Sequence, residues 1–199
     1  LIEHFFYWWN WERLSESPAL PWDMELISRF GSSWNWERLS ENPSLPWTSD
    51  IIEYFADQWN WERLTENSAL PWSLTLIERY LDRWHWGNFS RNPGAPWTLA
   101  FIERYADRWD WEALSRNEAL PWTQDLLERY AVRWDWDGGV RLDDGPIGSG
   151  LSGNIGLPWS IELIERYEDR WNWGWPGLTG NVALPWSLDL IERYKDRWD

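Results

Sequence analysis

The feature that most constrains this chain is a period. A Pro-Trp pair returns with its tryptophan at Trp22, Trp47, Trp72, Trp97, Trp122, Trp159 and Trp186, at intervals of 25, 25, 25, 25, 37 and 27 residues. A segment that recurs in this way is one supersecondary unit that cannot enclose its own apolar face and must stack on its neighbours. The expectation is one repeat array over residues 1–199, of about seven units. Leu1, Ile2, Phe5 and Trp9 match Leu76, Ile77, Tyr80 and Trp84, so the chain opens inside a repeat. It stops at Asp199, where another Trp-x-Trp would continue; a slice of a longer array, or an engineered chain, is expected.

The stretch Pro71–Asn92, PWSLTLIERYLDRWHWGNFSRN, shows the grammar. Ser73 occupies a slot filled elsewhere by Asp23, Thr48, Thr98, Thr123, Ser160 and Ser187, all good N-caps. Trp72 before the cap and Ile77 four after it have the spacing of a hydrophobic staple. Leu76, Ile77, Tyr80 and Trp84 fall on one helical face, which predicts a helix over residues 73–84, about 18 Å long. A second, shorter helix is predicted from Asn10, Asn35, Asn60, Asp110, Asp135 and Asn172, which sit between the two tryptophans as caps. Glu12, Glu37, Glu62 and Glu112 follow in the first turn, where the helix dipole favours acids. Asn42, Asn67, Asn92 and Asn117 stand where a left-handed residue would close that helix. The fold class expected is all-α: a right-handed α-solenoid of helix–turn–helix repeats, a long helix plus a short one per 25 residues. The alternative is an α/β leucine-rich-repeat-like solenoid. It is suggested by Gly87, Gly138, Gly139, Gly174 and Gly177 in the short segment, since glycine costs about 1 kcal/mol inside a helix.

Two cycles depart from the rule. After Trp136 a Gly/Asp-rich insertion over residues 137–150 lengthens the unit, and Leu151, Ser152 and Asn154 then resume the Leu-Ser-x-Asn theme. The next cycle replaces the short helix with Gly174-Trp175-Pro176-Gly177. Insertions in solenoids emerge as loops on one face, often the binding face.

Composition narrows the function. Eighteen Lys+Arg against 33 Asp+Glu, a formal charge of −15, argue against nucleic acid, whose phosphates would be repelled. The 24 tryptophans argue against disorder. No Cys means no disulfide framework and no thiolate metal site, and leaves the compartment open, with a soluble cytoplasmic chain slightly favoured. No apolar run reaches the roughly 18 residues of a membrane span, and no signal-peptide pattern opens the chain.

Three tryptophans per repeat, each able to bury 150–250 Å² or roughly 4–6 kcal/mol, read as core. Trp8 and Trp175 fall outside the repeat slots and are the candidates for exposed, ligand-facing rings. Glu78 and Asp82, with Glu103 and Asp107 one repeat on, are expected to form an acidic outer ridge, a solvated face or a docking strip for a basic partner. Arg79, Arg104, Arg129, Arg166 and Arg193 flank it, within reach of the adjacent helix's carboxylates. Asp135, Asp137, Asp143 and Asp144 miss the calcium-loop spacing, so no metal and no cofactor is expected; Asp137, Asp143 and Asp144, on the insertion, are candidate interaction residues instead. The hydroxyl at Ser40, Thr65, Ser90 and Ser115 returns every turn and is structural. Catalysis needs a unique constellation, and neither a Ser-His-Asp nor a phosphate-loop pattern occurs.

The unit W-x-W-x-x-L-S-x-N-x-x-L-P-W-S-x-x-L-I-E-R-Y-x-D-R-W resembles a tryptophan-rich tandem repeat of about 25 residues found in long microbial proteins, a resemblance that covers nearly the whole chain. It implies a long array and names no activity. The function expected is therefore a non-catalytic scaffold for protein–protein interaction. A self-assembling, filament-like array stacked end to end through Trp9 and Trp198, and carbohydrate binding through exposed tryptophans, are the alternatives.

Overall fold

The computed structural model describes residues 8–138 and 150–198. The chain divides into two units, Leu1–Pro96 and Trp97–Asp199. Unit 1 holds α1 (Trp11–Ser15), α2 (Met24–Arg29), α3 (Trp36–Glu41), α4 (Ser49–Tyr54), α5 (Trp61–Glu66), α6 (Leu74–Arg79) and α7 (Trp86–Phe89). Unit 2 holds α8 (Leu99–Arg104), α9 (Trp111–Ser115), α10 (Gln124–Arg129), α11 (Ile161–Arg166) and α12 (Leu188–Arg193), with 3₁₀ turns at Gly150–Gly153 and Leu178–Gly180. Among the described residues there is no strand, so the fold is an all-α repeat solenoid and the leucine-rich-repeat-like alternative falls. Successive short elements stack on one another: α1 on α3, α3 on α5 and α5 on α7 in unit 1. In unit 2, α9 stacks on the first 3₁₀ turn and that turn on the second.

The caps decide where each helix starts. Asn10, Asn35, Asn60, His85 and Asp110 accept a hydrogen bond from the N–H three residues on, opening α1, α3, α5, α7 and α9. Asp23, Thr48, Ser73, Thr98, Thr123, Ser160 and Ser187 do the same for the other series. The helix predicted over residues 73–84, however, is only Leu74–Arg79. Its Ile77 carbonyl is taken by the indole N–H of Trp84 at 3.1 Å. Tyr80 (φ −122°, ψ 32°) leaves the helix, and a turn closed by the Arg83 N–H on the Tyr80 carbonyl at 2.9 Å brings the chain round. The "long" helix therefore has six residues, against four to six in the short helices. It ends because an aromatic donor has replaced the next rung of the backbone ladder.

That substitution is general. In one middle repeat of unit 1, Trp59 donates to the Ile52 carbonyl at 3.2 Å, Trp61 to Ala56 at 2.9 Å and Trp72 to Asn67 at 3.1 Å. All three slots thus use the polar edge of the indole to satisfy a carbonyl at a helix or turn end, which phenylalanine could not do. The rings also meet each other. Trp61 packs edge-on against Trp84 at 4.9 Å, and Trp72 lies 4.9 Å from the same ring. Of the regular slots, Trp9 and Trp186 are exposed and the rest are buried or half-buried. Ile27, Leu39, Ile52, Leu64 and Ile77 complete the unit 1 core with no exposed surface.

A buried polar spine runs beside the rings. The expectation of left-handed asparagines is wrong: Asn42 has φ −72° and Asn67 φ −75°, and no described non-glycine residue has positive φ. These side chains are instead turned inward. Asn67 Nδ2 donates to the Ser40 carbonyl of the preceding repeat at 3.0 Å, while its Oδ1 accepts from the Ala69 N–H at 3.0 Å. The Ser40 hydroxyl donates to the Trp36 carbonyl at 2.7 Å and accepts from the Asn60 N–H of the next repeat at 3.0 Å. The same pair of links recurs through Ser15 and Asn42, and in unit 2 through Ser115 and Asn154, then Ser152 and Asn181. Left unpaired in the interior, each such group would cost about 1–3 kcal/mol. The spine therefore fixes the register of one repeat on the next.

Candidate functional site

The outer acids do not form a bare ridge. Arg79 meets Glu53 at 2.5 Å and Arg83 meets Asp57 at 3.1 Å in unit 1. In unit 2, Arg129 pairs with Glu103, Arg133 with Asp107 at 3.0 Å, Arg166 with Glu128 at 2.8 Å and Arg193 with Glu165. Each arginine reaches back to the preceding repeat, so the face is a ladder of alternating charge. Glu78 and Asp82 are exposed, and neither is without a partner. Exposed pairs of this kind contribute at most about 1 kcal/mol each. A second network covers the short helices of unit 1, where Arg38 contacts Glu12, Glu16 and Glu41, and Arg63 contacts Glu37, Glu41 and Glu66. The hydrogen bond from Arg63 to Glu37, with the charge of Glu41 next, holds that guanidinium above its usual range.

Trp8 is 86% exposed. It precedes Trp9 as Arg83 precedes Trp84, so it stands in an arginine slot of the repeat and not outside it. Trp175, 74% exposed, has no counterpart in the other repeats. A Cβ on Gly180 would lie 2.7 Å from its ring, so the indole covers a residue whose equivalents Glu41, Glu66 and Arg116 are charged. Gly180 makes the room.

The two lengthened cycles open at the same place. In a regular unit the Leu114 N–H bonds the Asp110 carbonyl at 2.9 Å, and the Ser115 hydroxyl bonds the Trp111 carbonyl at 2.7 Å. Across the insertion, Leu151 bonds the Asp135 carbonyl at 2.8 Å and Ser152 the Trp136 carbonyl at 2.5 Å. Across the Gly-Trp-Pro-Gly segment, Leu178 bonds the Asn172 carbonyl at 2.7 Å and Thr179 the Trp173 carbonyl at 2.5 Å. Residues 137–150 and 174–177 thus replace the two residues Glu112 and Ala113, and the spine closes beneath both as though nothing had been added. The neck of the larger insertion is pinched by Gly138 (φ 84°) and Gly150 (φ 52°). A Cβ on Gly150 would meet the Gly138 nitrogen at 2.8 Å and the Asp135 carbonyl oxygen at 2.5 Å. Only glycine suits that conformation and that approach.

The cap of the second lengthened cycle also reaches the start of the first insertion. Asn172 Nδ2 donates to the Asp137 carbonyl at 3.2 Å, and its Oδ1 accepts from the Gly174 N–H at 3.0 Å. Beside them Arg116 bridges Glu112 at 2.8 Å and Asp135 at 3.1 Å. Burial pushes the Asp135 carboxyl above the usual aspartate range, against the Gly138 N–H and the Arg116 charge, which both pull it down. Asp137 is exposed at the edge of this face, while Asp143 and Asp144 lie outside the described residues. The candidate site is therefore the insertion face of unit 2: Arg116, Asp135, Asp137, Asn172 and Trp175. Reading the sequence singled out Asp137 and Trp175. It missed Arg116 and Asn172, whose signals are a charge reversal in the slot of Glu66 and a cap retained where the helix is lost.

Among the described residues no cluster of His, Cys, Asp and Glu is arranged to hold a metal ion, and no helix is long and apolar enough to cross a membrane. Compared with protein-family models, curated proteins and solved structures, the chain finds no match.

Proposed function

We propose that the chain is a non-catalytic repeat scaffold that binds a protein partner through the insertion face of unit 2. The observation that carries this reading is the common exit point of the two lengthened cycles. They leave the array at equivalent positions and are bonded to each other through Asn172 and Asp137. A single exposed indole, Trp175, stands beside them. A face that varies in length while the spine beneath it stays constant is the pattern of a binding surface on a solenoid. The outer acids, engaged by arginines, are a poorer lure for a basic partner than their number suggests. On its repeat grammar we also group the chain with the tryptophan-rich tandem repeats of microbial proteins, a reading supported by its 25-residue period and clustered rings.

The test is affinity capture with the intact chain, followed by identification of the partner and measurement of Kd against Trp175→Ala. Loss of about tenfold or more in affinity, as for an aromatic anchor, with an unchanged melting curve is the expected result. Equal affinity for the variant sinks the insertion-face reading. Unchanged Trp fluorescence on adding glycans disposes of the carbohydrate alternative. Scattering mass that grows without limit with concentration would favour the self-assembling array.

A further inference from the structure

The arginines that precede Trp84, Trp134 and Trp198 are held in one pose. Arg83 donates to the Ala56 carbonyl at 2.7 Å, lies 5.3 Å from the Trp61 ring centre and meets Asp57 at 3.1 Å. Arg133 does the same with Ala106 at 2.7 Å, Trp111 at 5.4 Å and Asp107 at 3.0 Å. Arg197 repeats it with the Glu168 carbonyl at 2.8 Å, Trp173 at 5.5 Å and Asp169 at 3.1 Å. The carbonyl and the ring fix the guanidinium, and the carboxylate completes it.

Arg170 keeps two of the three. Its Nη1 donates to the Ala131 carbonyl at 2.7 Å and its guanidinium lies 5.2 Å from the Trp136 ring. The slot of Asp57, Asp107 and Asp169 is filled here by Val132, which is 90% exposed. Among the described residues no carboxylate reaches Arg170. The guanidinium is thus oriented in advance for an acid that none of the described residues supplies, with an apolar side chain where that acid stands in the other rungs. The neighbouring Arg166 is already taken by Glu128, so the opening is local to one rung.

We propose that Arg170 and Val132 form a docking site for an acidic segment of a partner polypeptide, a carboxylate flanked by an apolar side chain. The carboxylate takes the place that Asp107 and Asp169 take in their own rungs, and the apolar neighbour covers Val132. A guanidinium pinned by a carbonyl and an aromatic face loses little freedom when it binds, which favours a specific contact over diffuse attraction. The inference depends on the scaffold reading only in making the occupant a polypeptide. It does not depend on Trp175.

The experiment uses the full chain and two defined probes, N-acetyl-Leu-Asp-amide and N-acetyl-Leu-Asn-amide, with the guanidinium N–H signal of Arg170 followed by NMR at low ionic strength. The expected result is a saturable shift of Arg170 with the Asp probe and none with the Asn probe, weakened at least about tenfold in Arg170→Gln as judged by Leu-methyl line broadening of the probe. Val132→Asp, which supplies the residue that other rungs carry, is expected to abolish the response, and Val132→Asn to keep it. A shift that is uniform over all arginines, a flat titration, or a Val132→Asp chain that still responds would each overturn the proposal. Trp175→Ala should leave this titration unchanged, which separates failure here from failure of the insertion-face reading.

Discussion

Units 1 and 2 each carry the same kind of spine and differ in what they hang on it. In unit 1 the short segments α1, α3, α5 and α7 are all helical, and arginines 38 and 63 lace their outer surface to glutamates of the same and the preceding repeat. Of the short segments of unit 2 only α9 is an α-helix. The next two short segments are 3₁₀ turns, and Gly153 and Gly180 stand where unit 1 has Glu41 and Glu66. Yet Asn154 still donates to the Ser115 carbonyl at 2.8 Å and Asn181 to Ser152 at 3.0 Å, as Asn67 does to Ser40 at 3.0 Å. The difference shows that the short helix is not what joins repeats. The serine, the asparagine and the three indoles join them, and the helical turn around them can be lengthened, stripped of charge or lost.

The largest effect that could break this comparison is expected from the rings. Trp84→Ala in unit 1 removes a buried indole bonded to Ile77 and packed on Trp61 and Trp72, and should cost about 3–5 kcal/mol by chemical denaturation. Trp175→Ala in unit 2 should change stability by no more than about 0.5 kcal/mol. Comparable losses at the two positions would mean that Trp175 belongs to the core.

Next come the spine asparagines. Asn67→Ala and Asn181→Ala each strip a buried carbonyl of its donor and should cost about 1–3 kcal/mol, equally in the two units. A clearly cheaper loss in unit 2 would show that the insertions have loosened the spine there. A smaller effect is expected from replacing residues 137–150 with Glu-Ala, the two residues α9 has at that place. Because Leu151 already makes the helical bond to Asp135, the shortened chain should fold with a change of about 1 kcal/mol or less, the scale of loop-closure entropy. Circular dichroism should gain helix, and loss of folding would contradict the common-exit geometry.

The smallest effect is a pH dependence in unit 2. Because burial raises the Asp135 carboxyl in the folded state, the folded chain binds that proton more tightly than the unfolded one. Stability therefore falls as pH rises from the ordinary aspartate range through the raised value, and stays lowered above it. Asp135→Asn keeps an acceptor for the Gly138 N–H, and should be slightly more stable than the parent at neutral pH, with the gain fading below the ordinary aspartate range. A melting-midpoint series across that range checks the sign; a variant less stable at neutral pH would show that the Arg116 pair outweighs burial.

The period, the caps and the core positions were legible in the sequence because they are local or strictly repeated. Ser73 and Thr48 cap the helices that their types and places announce, and Ile77 and Leu64 are buried as a helical face requires. Trp175 stood out because it broke the repeat. Other features were decided only by tertiary structure. Helices stop early because indoles capture carbonyls that the backbone alone would have used. Asn67 avoids a left-handed turn because the repeat before it offers a buried acceptor. The acids Glu103 and Asp107 are paired because the next repeat brings Arg129 and Arg133 over them. Cap preference and periodicity act within a few residues and are written in order along the chain. A hydrogen bond between residues more than twenty positions apart exists only once stacking has set the register, and it is there that the chain settles which of its polar groups are paired with each other.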